Sequence, residues 1–279
     1  MAKLITTEAQ LRAHIPNIIA TVKGEMPFIE RLTHFLDLAE DWVKTTFTSE
    51  STFNTICGYT DSNNIKILCS RLVVADALRR AIPSLDIVLT PNGFGVVSTQ
   101  NLAPASKPRV DRLVGSMLAH RDACIAALLP ELVGASKWLT SKQADFFGAT
   151  LFPDLGIVDA VGEVTGSKWE KYLELRPKVI DLEASLAEEW LSPVLLSALR
   201  SENLRRDLTP KRREVVRQVK AQIVGYLTAG TFSTRRLADI VNYIRQDEDE
   251  FPDWHHSATA ELFSPPVFRN KKKSTGYFF

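Results

Sequence analysis

The chain has 279 residues, of which 45% are hydrophobic and 24% are charged, a composition typical of a soluble globular protein with one large or two ordinary domains. Its 34 lysines and arginines nearly balance 33 acidic residues, which excludes a protein whose overall field attracts nucleic acid or an anionic membrane. The three cysteines are scattered and exclude a disulfide framework, no apolar stretch is long enough to predict a membrane-spanning helix, and the first residues lack the apolar core of a signal peptide.

The first 63 residues predict two helices and a loop. Thr6 and Thr7 are suitable caps for a short helix that ends near Ile15. Apolar residues at helical spacing predict a second, amphipathic helix from Met26 to Val43. Residues 45–63 are rich in Thr, Ser and Asn and predict a loop.

The stretch from Asn64 to Pro83 organises the rest of the first half. Its apolar residues recur at about the 3.6-residue period of a helix with one wide apolar stripe. Asp61 or Ser62 is expected to cap this helix, and Pro83 is expected to stop it.

Residues 86–98 change to an extended pattern. A β-branched apolar run ends at Thr90, Pro91-Asn92-Gly93 has turn composition, and a second apolar run follows. This pattern predicts a β-hairpin, with a short apolar loop as the alternative because Gly95 weakens the second strand.

Residues 101–167 predict a linker, a helix and an irregular segment. A linker from Asn101 to Ser106 precedes a helix with Pro108 in its first turn, which ends at Pro130. Residues 131–167 contain several glycines and prolines around a short helix that opens near Ser141, and they are interpreted as the seam between two halves.

The second half predicts helices and an extended tail. A long helix spans about Lys168 to Arg200, with bends at its two prolines. Thr209 caps a helix that Gly230 closes, and a further helix from Ser233 or Thr234 runs into the acidic residues 247–250. A last short helix covers residues 254–263, and residues 264–279 have too little apolar surface to order themselves.

The two halves share a sequence echo. Leu38-Ala39-Glu40-Asp41-Trp42-Val43 resembles Leu186-Ala187-Glu188-Glu189-Trp190-Leu191, at an offset of 148 residues from Ala39 to Ala187. A polar loop and an amphipathic helix follow each copy. The order of these elements favours a diverged duplication over a chance likeness of amphipathic helices.

No catalytic motif is present in the sequence. The glycine-rich phosphate-binding loop and the GxSxG nucleophile elbow are absent. His255-His256 beside Asp253 and Glu261 lacks a third ligand at the usual spacing and is interpreted as a polar helix edge. We expect no enzyme activity, no catalytic residue, no metal and no cofactor.

Basic residues crowd one predicted helix–loop–helix corner. Arg213, Arg217 and Lys220 share one face of the helix after Thr209 and are suited to nucleic-acid phosphates or to an acidic protein surface. A solvated face neutralised by nearby acidic residues is an equally good interpretation. The candidate basic patch consists of Arg205, Arg206, Arg212, Arg213, Arg217 and Lys220.

The run from Val73 to Val114, VVADALRRAIPSLDIVLTPNGFGVVSTQNLAPASKPRVDRLV, resembles a segment of proteins encoded in phages and prophages of gut bacteria. The helical arrangement resembles phage head–tail connector (adaptor) proteins, which are small helix bundles that form a ring beneath the portal. The resemblance implies a virion structural role in the neck, a ring of twelve copies, and the portal and tail or neck proteins as partners. A doubled bundle departs from the usual single-bundle adaptor and leaves the neck position open.

The sequence therefore predicts a mainly α protein with two related helical bundles, 1–135 and 136–263, one hairpin and an extended tail, 264–279. The expected function is a ring-forming connector that is made in the bacterial cytoplasm and lies in the virion, with non-specific contact to packaged DNA and none to a membrane. The alternatives are a nucleic-acid-binding helical protein and another neck or tail-completion protein.

Two segments are expected to make the contacts between subunits and partners. The hairpin has unpaired edges that suit strand pairing with a neighbouring copy, and the tail is expected to dock on the portal or a neighbouring subunit, or else to fold back on its own bundle. The candidate oligomer interface consists of Ile87, Leu89, Asn92, Gly93, Phe94 and Val96. The candidate docking residues of the tail are Phe268, Lys271, Lys272, Lys273, Tyr277, Phe278 and Phe279.

Overall fold

The structure is a computed structural model that describes residues 2–15, 26–85, 87–90, 93–96 and 106–264, with only the backbone of the two strands. Across these residues the fold is mainly helical, as predicted. The helices up to residue 131 are α1 (Glu8–His14), α2 (Phe28–Val43), the π-helical turn π1 (Lys44–Thr48), α3 (Glu50–Cys57), α4 (Asn64–Ala81) and α5 (Lys107–Glu131). The later ones are α6 (Lys142–Gly148), α7 (Gly156–Val161), α8 (Lys168–Leu186), the π-helical turn π2 (Ala187–Leu191), α9 (Pro193–Arg205), α10 (Pro210–Ala229), α11 (Thr234–Arg245), α12 (Pro252–His255) and α13 (Ala258–Leu262). Single 3₁₀ turns cover Ile82–Ser84, Leu132–Gly134 and Trp138–Thr140.

Several predicted helix ends are confirmed. Thr7 and Gln10 form a reciprocal capping box at the start of α1. Thr209 caps α10, and Gly230 follows that helix with a left-handed φ of 78°. Pro108 lies in the first turn of α5. These signals act over one helical turn, which is why the sequence is sufficient to place them.

Helix α4 packs against α2 and α5. Most of its residues are buried, and they include the polar Ser70 and Asp76. The buried surface is therefore wider than the single apolar stripe that the sequence predicted. A helix that contacts neighbours on several sides loses the regular alternation of apolar and polar faces.

The cap of α4 differs from the prediction by one position or more. Asn63, rather than Asp61 or Ser62, accepts hydrogen bonds from the amides of Ile65 and Lys66. Its position directly before the first helical residue allows one side-chain oxygen to reach two unpaired amides of the first turn.

The loop predicted over residues 45–63 is wrong. Much of this segment is helical, as π1 and α3, and Ser49 caps α3. Phe47, Phe53 and Ile56 are fully buried. Burial of these three side chains in the core outweighs the weak helix propensity of the surrounding Thr, Ser and Asn.

The continuous helix predicted from Lys168 to Arg200 is also wrong. The chain turns at Ser192, whose φ is 70°, and Pro193 begins the separate helix α9. Proline at a first helical position needs no amide partner, so this proline starts a helix instead of bending one. Pro177 does lie inside a helix, α8.

The C-terminal helices are shorter than predicted. Helix α11 ends at Arg245, before the acidic run of residues 247–250. Residues 254–263 belong to two short helices, α12 and α13, instead of one, because Ser257 caps a new turn.

Two short strands lie between α4 and α5. Strands β1 (Ile87–Thr90) and β2 (Gly93–Val96) pair antiparallel, with Ile87 opposite Val96 and Thr90 opposite Gly93. The turn residues Pro91 and Asn92, and most of the predicted linker, lie outside the described residues.

The core continues across the predicted boundary at residues 135 and 136. One cluster of buried apolar side chains includes residues from α1 to α12. The indole Nε1 of Trp138 donates a hydrogen bond to the backbone oxygen of Phe47 over 2.6 Å. The ring centroids of Phe47 and Trp169 are 5.0 Å apart. The glycines and prolines of residues 131–167 therefore mark turns on a shared core.

One local arrangement occurs twice. In each copy a helix passes into a π-helical turn, and a serine with a φ of 70° then caps the next helix. The serines are Ser49 and Ser192, which gives an offset of 143 residues instead of the 148 of the sequence echo. A wholly or nearly buried glutamate, Glu40 or Glu183, precedes each serine by nine residues.

The two glutamates have the same role. A side-chain oxygen of Glu40 accepts a 2.8 Å hydrogen bond from the backbone amide of Leu4, and Glu183 accepts one of the same length from Leu151. Each carboxylate therefore binds a distant chain segment to the helix that carries it. Burial is the largest influence on both groups and raises the pKa of each.

Candidate interaction surfaces

The predicted oligomer interface lies on the two paired strands. Their sheet has two strands in the part of the chain that the structure describes, so each strand has one outer edge without a sheet partner there. The register places Ile87 and Leu89 opposite Val96 and Phe94, and Gly93 lies at the turn end of β2. Asn92 lies outside the described residues.

Arg212, a member of the predicted basic patch, is mostly buried. Its guanidinium donates hydrogen bonds to the side chain of Glu202, to the backbone oxygen of Glu250 and to the side chain of Asp253. Only 11% of its side chain is exposed. These contacts tie the start of α10 to α9 and to the segment before α12, which gives Arg212 a role in the fold.

Two further members of the patch also have partners within the chain. Arg217 forms two hydrogen bonds with the carboxylate of Glu214, and these bonds lower the pKa of Glu214 to about 2. The Lys220 ammonium lies 5.3 Å from the centroid of the Phe152 ring, and burial lowers the pKa of that lysine. The predicted face of α10 is thus partly neutralised and partly covered.

The other three members of the patch are exposed. The Arg213 guanidinium donates to the backbone oxygen of Leu208. Arg205 and Arg206 lie at the end of α9 and are exposed, and Arg206 adopts a left-handed φ of 63°. Arg205, Arg206 and Arg213 are therefore the exposed part of the patch, Arg217 is exposed but paired with Glu214, and Arg212 and Lys220 are partly buried.

A buried ionic cluster that the sequence analysis missed joins α4 to α5. The carboxylate of Asp76 is fully buried and forms ion pairs with Arg79, Arg80 and Arg121. Arg121 also pairs with Asp122, its neighbour on α5. Buried carboxylates need such partners because desolvation of an unpaired charge costs several kcal/mol.

Asp122 extends this cluster to the second half of the chain. It accepts a hydrogen bond from the hydroxyl of Ser167 and another from the backbone amide of Lys168, the first residue of α8. Arg121 also donates to Ser167 and lies 5.6 Å from the Trp42 ring. The only sequence signal was the Asp-Arg-Arg spacing of residues 76, 79 and 80, which does not reveal Arg121 as the third partner.

A polar cavity of about 460 Å³ lies between the π1–α3 junction and the segment that leads into α6. Three lysines from these two segments line it, together with one glutamate and several hydroxyl groups. The lining residues are Lys44, Thr45, Ser49, Glu50, Ser51, Lys137, Thr140, Ser141, Lys142 and Gln143. The sequence analysis missed this cavity because its two walls are about ninety residues apart in the chain.

The histidines and cysteines have contacts typical of packing residues. A ring nitrogen of His255 lies 3.2 Å from the Ile244 backbone oxygen, and His256 has a similar contact within its own turn. Burial raises the pKa of Cys57 and of Cys124 to about 11. Among the described residues there is no cluster of three His, Cys, Asp or Glu side chains that suits a metal ion.

The tail residues Phe268, Lys271, Lys272, Lys273, Tyr277, Phe278 and Phe279 lie outside the described residues. The last described turn packs against the protein, since the ring of Phe263 lies 5.7 Å from Trp190 and 6.0 Å from Trp254. None of the described helices combines the length and the apolar character that a membrane crossing needs.

Comparison with known proteins gives one match. A family model described as a family of unknown function (DUF6712) matches residues 26–148, a segment that contains α2 to α6, the strand pair and the polar cavity. No curated protein and no solved structure matches the chain significantly.

Proposed function

We propose that this protein is a structural subunit that forms a ring and joins the portal to the tail of a tailed phage, as a head–tail connector. The observation that carries the proposal is the open-edged strand pair β1–β2 between the packed helices α4 and α5. The sequence resemblance of residues 73–114 to phage-encoded proteins supports the same function.

Open strand edges supply a mechanism of assembly. The outer edge of each strand presents backbone amides and carbonyls at a spacing that pairs with another extended chain. If the strand pair of one subunit adds to that of the next, each subunit uses two different edges, and such head-to-tail contacts close into a ring when the rotation between subunits allows it. By resemblance the ring has twelve copies.

The connector has further expected contacts on either side of the ring. The tail, residues 264–279, docks on the portal or a neighbouring subunit, with its terminal aromatic residues as anchors, and tail or neck proteins bind the opposite side. The ring lies in the neck of the virion. Contact with packaged DNA is non-specific and requires no base-reading surface.

Internal duplication is part of this proposal. The repeated arrangement around Ser49 and Ser192, with Glu40 and Glu183 in equivalent positions, supports two related units at an offset of 143 residues. In the first unit, the strand pair lies between α4 and α5. The helices α10 and α11 take the same places in the second unit, and only a short connection joins them. The hairpin is then an insertion in one unit.

The contacts of the basic corner reduce the support for the alternative, a nucleic-acid-binding protein. Arg212 and Arg217 have acidic partners within the chain, and Lys220 packs on an aromatic ring. The exposed members without an acidic partner among the described residues are Arg205, Arg206 and Arg213, and three arginines are fewer than the six to ten phosphate contacts of strongly salt-dependent binders.

The test measures assembly with and without the strand pair. In one variant, residues 87–90 and 93–96 are replaced by Gly and Ser; the control replaces residues 101–105 in the same way. We expect the wild type and the control to form rings in negative-stain images, alone or with the portal. The strand variant should stay a folded monomer with the wild-type melting temperature, because α4 and α5 carry the core contacts on either side.

A second variant addresses the turn alone. Replacing Asn92 and Gly93 by valine puts β-branched side chains at the last residue of the turn and the first residue of β2, where asparagine and glycine tolerate turn conformations that valine disfavours, so ring formation should be lost. Monomers in every condition for the wild type, or unfolding of the strand variant, would overturn the proposal. Tight, sequence-specific DNA binding at physiological salt would favour the alternative.

A further inference from the structure

We propose that the polar cavity between the π1–α3 junction and residues 137–143 binds a phosphate group. This proposal goes beyond the connector function and does not depend on it. The cavity lies wholly within residues 26–148, the segment that the family model matches.

The cavity collects positive charge from two distant segments. Lys44 lies on one wall, Lys137 and Lys142 lie on the other, and Glu50 is the one acidic residue among those that line it. The sequence as a whole has a net charge of only +1, so this concentration is local. Asp41 neutralises the Lys44 ammonium, so Lys137 and Lys142 against Glu50 leave the lining with a net positive charge that attracts an anion.

Lys44 is held in a fixed place. Its ammonium is 2.9 Å from a carboxylate oxygen of Asp41 and 5.4 Å from the centroid of the Phe53 ring, and 13% of its side chain is exposed. Lys137 and Lys142 have no ion-pair partner among the described residues. Because Lys44 is already held in place, an anion that binds beside it has fewer side chains to order. The entropic cost of binding is therefore lower.

Hydrogen bonds position the two walls of the cavity. The side-chain amide of Gln143 donates to the backbone oxygen of Thr45 over 2.9 Å and links the walls directly. Ser49 caps α3 through the amide of Thr52 and leaves the first amides of that eight-residue helix without a partner inside it. The positive end of the helix adds to the field of the lysines.

The backbone conformation of Lys137 supports a role of its side chain in binding. Lys137 adopts a left-handed φ of 67°, a conformation that is sterically unfavourable for a residue with a Cβ. Glycine would avoid this cost and would remove the ammonium group. Strained positions of this kind cluster at binding sites.

The donors suit phosphate better than carboxylate. Three lysines and several serine and threonine residues line one space, and a phosphate has more acceptor oxygens than a carboxylate to pair with their ammonium and hydroxyl groups. A volume of about 460 Å³ lies in the range of small-ligand sites and leaves room for a diphosphate or for a nucleotide of a longer chain.

The experiment uses isothermal titration calorimetry on the full chain, with inorganic pyrophosphate in one arm and a ten-nucleotide single-stranded DNA in the other. The test variant is Lys137→Ala with Lys142→Ala. The matched control is Lys107→Ala with Lys178→Ala, which removes the same charge from exposed positions outside the cavity. We expect the test variant to weaken binding by about tenfold or more and the control to leave it nearly unchanged.

A third variant should act in the opposite direction. Glu50→Gln removes the one carboxylate of the lining, so binding should become about two- to fivefold tighter. Binding of pyrophosphate supports a small phosphorylated ligand, and binding of DNA alone supports a nucleic-acid backbone as the source of the phosphate. Failure of both ligands to bind, or equal losses in the test variant and the control, would overturn the proposal.

Discussion

Glu40 is an acidic residue inside the helical core. Its side chain is 5% exposed and accepts the amide hydrogen of Leu4, and Lys3 and Asp37 are the charged groups nearby. Burial raises its pKa, while the backbone hydrogen bonds oppose that shift. The hydrogen bonds from the N-terminal segment stabilise the charged carboxylate, whereas its removal from water destabilises it.

The raised pKa of Glu40 predicts a pH dependence of stability. The folded protein holds this proton to a higher pH than the unfolded chain, whose glutamate pKa is about 4.5. The free energy of unfolding therefore falls as the pH rises from about 4.5 through the folded pKa, and is constant above it. Glu40→Gln keeps the acceptor oxygen without the charge, so this component of the pH dependence should disappear.

Urea denaturation between pH 4.5 and 8 measures this effect. The stability of Glu40→Gln relative to the wild type should rise with pH across the window. The control Glu30→Gln lies on the same helix α2 and is exposed, so it should not change the slope. Parallel pH profiles for the wild type and Glu40→Gln would contradict the prediction.

At the scale of elements, the π-helical turns decide where the long helices end. After each π-helical turn, a serine with a φ of 70° caps the next helix. The chain therefore changes direction within a few residues. Ser192 is fully buried, accepts the amide of Leu195 and donates to the backbone oxygen of Asp253. Through these two hydrogen bonds, Ser192 links α9 to α12 at the point where the chain leaves α8 and π2.

Substitutions at Ser192 should separate the cap from the backbone strain. Ser192→Ala loses the cap and keeps the unfavourable φ of 70°, so it should lower the free energy of unfolding by about 1–2 kcal/mol. Ser192→Gly loses the same hydrogen bonds, but glycine adopts this φ without steric cost, and the loss should be smaller. Chemical denaturation gives both values. A glycine variant as unstable as the alanine variant would show that strain at this position has no energetic weight.

At the scale of the molecule, the last described turn packs on the shared core. Phe263 packs against Trp190 and Trp254, while Leu262 is 70% exposed. Beyond this point the sequence continues with three lysines in a row and three terminal aromatic residues. We predict that this segment docks on a partner, at a cost in conformational entropy.

Truncation tests the docking of the tail. Deletion of residues 267–279 should leave the melting temperature of the monomer unchanged and abolish binding to the portal in a pull-down assay. Deletion of residues 258–279 is the control, since it also removes Phe263 and should lower the melting temperature. A loss of several kcal/mol in the free energy of unfolding from the shorter deletion would place the tail in the protein's own core.

The amino-acid sequence by itself determined the helical class and many helix ends. Thr7, Thr209 and Gly230 act within one turn of their own helix, so their effect depends on neighbours that the sequence lists in order. Local chemistry was sufficient at these positions.

Only the tertiary structure decided the features that depend on distant partners. Phe47 makes its segment helical because Trp138 and Trp169 surround it, although the sequence there has the composition of a loop. Arg212 belongs to the interior because Glu202 and Asp253 lie beside it. The cavity exists because packing brings residues 44–51 against residues 137–143. Burial and pairing of this kind arise mostly from contacts across the core between residues far apart in the sequence, such as Phe47 with Trp138 and Arg212 with Asp253.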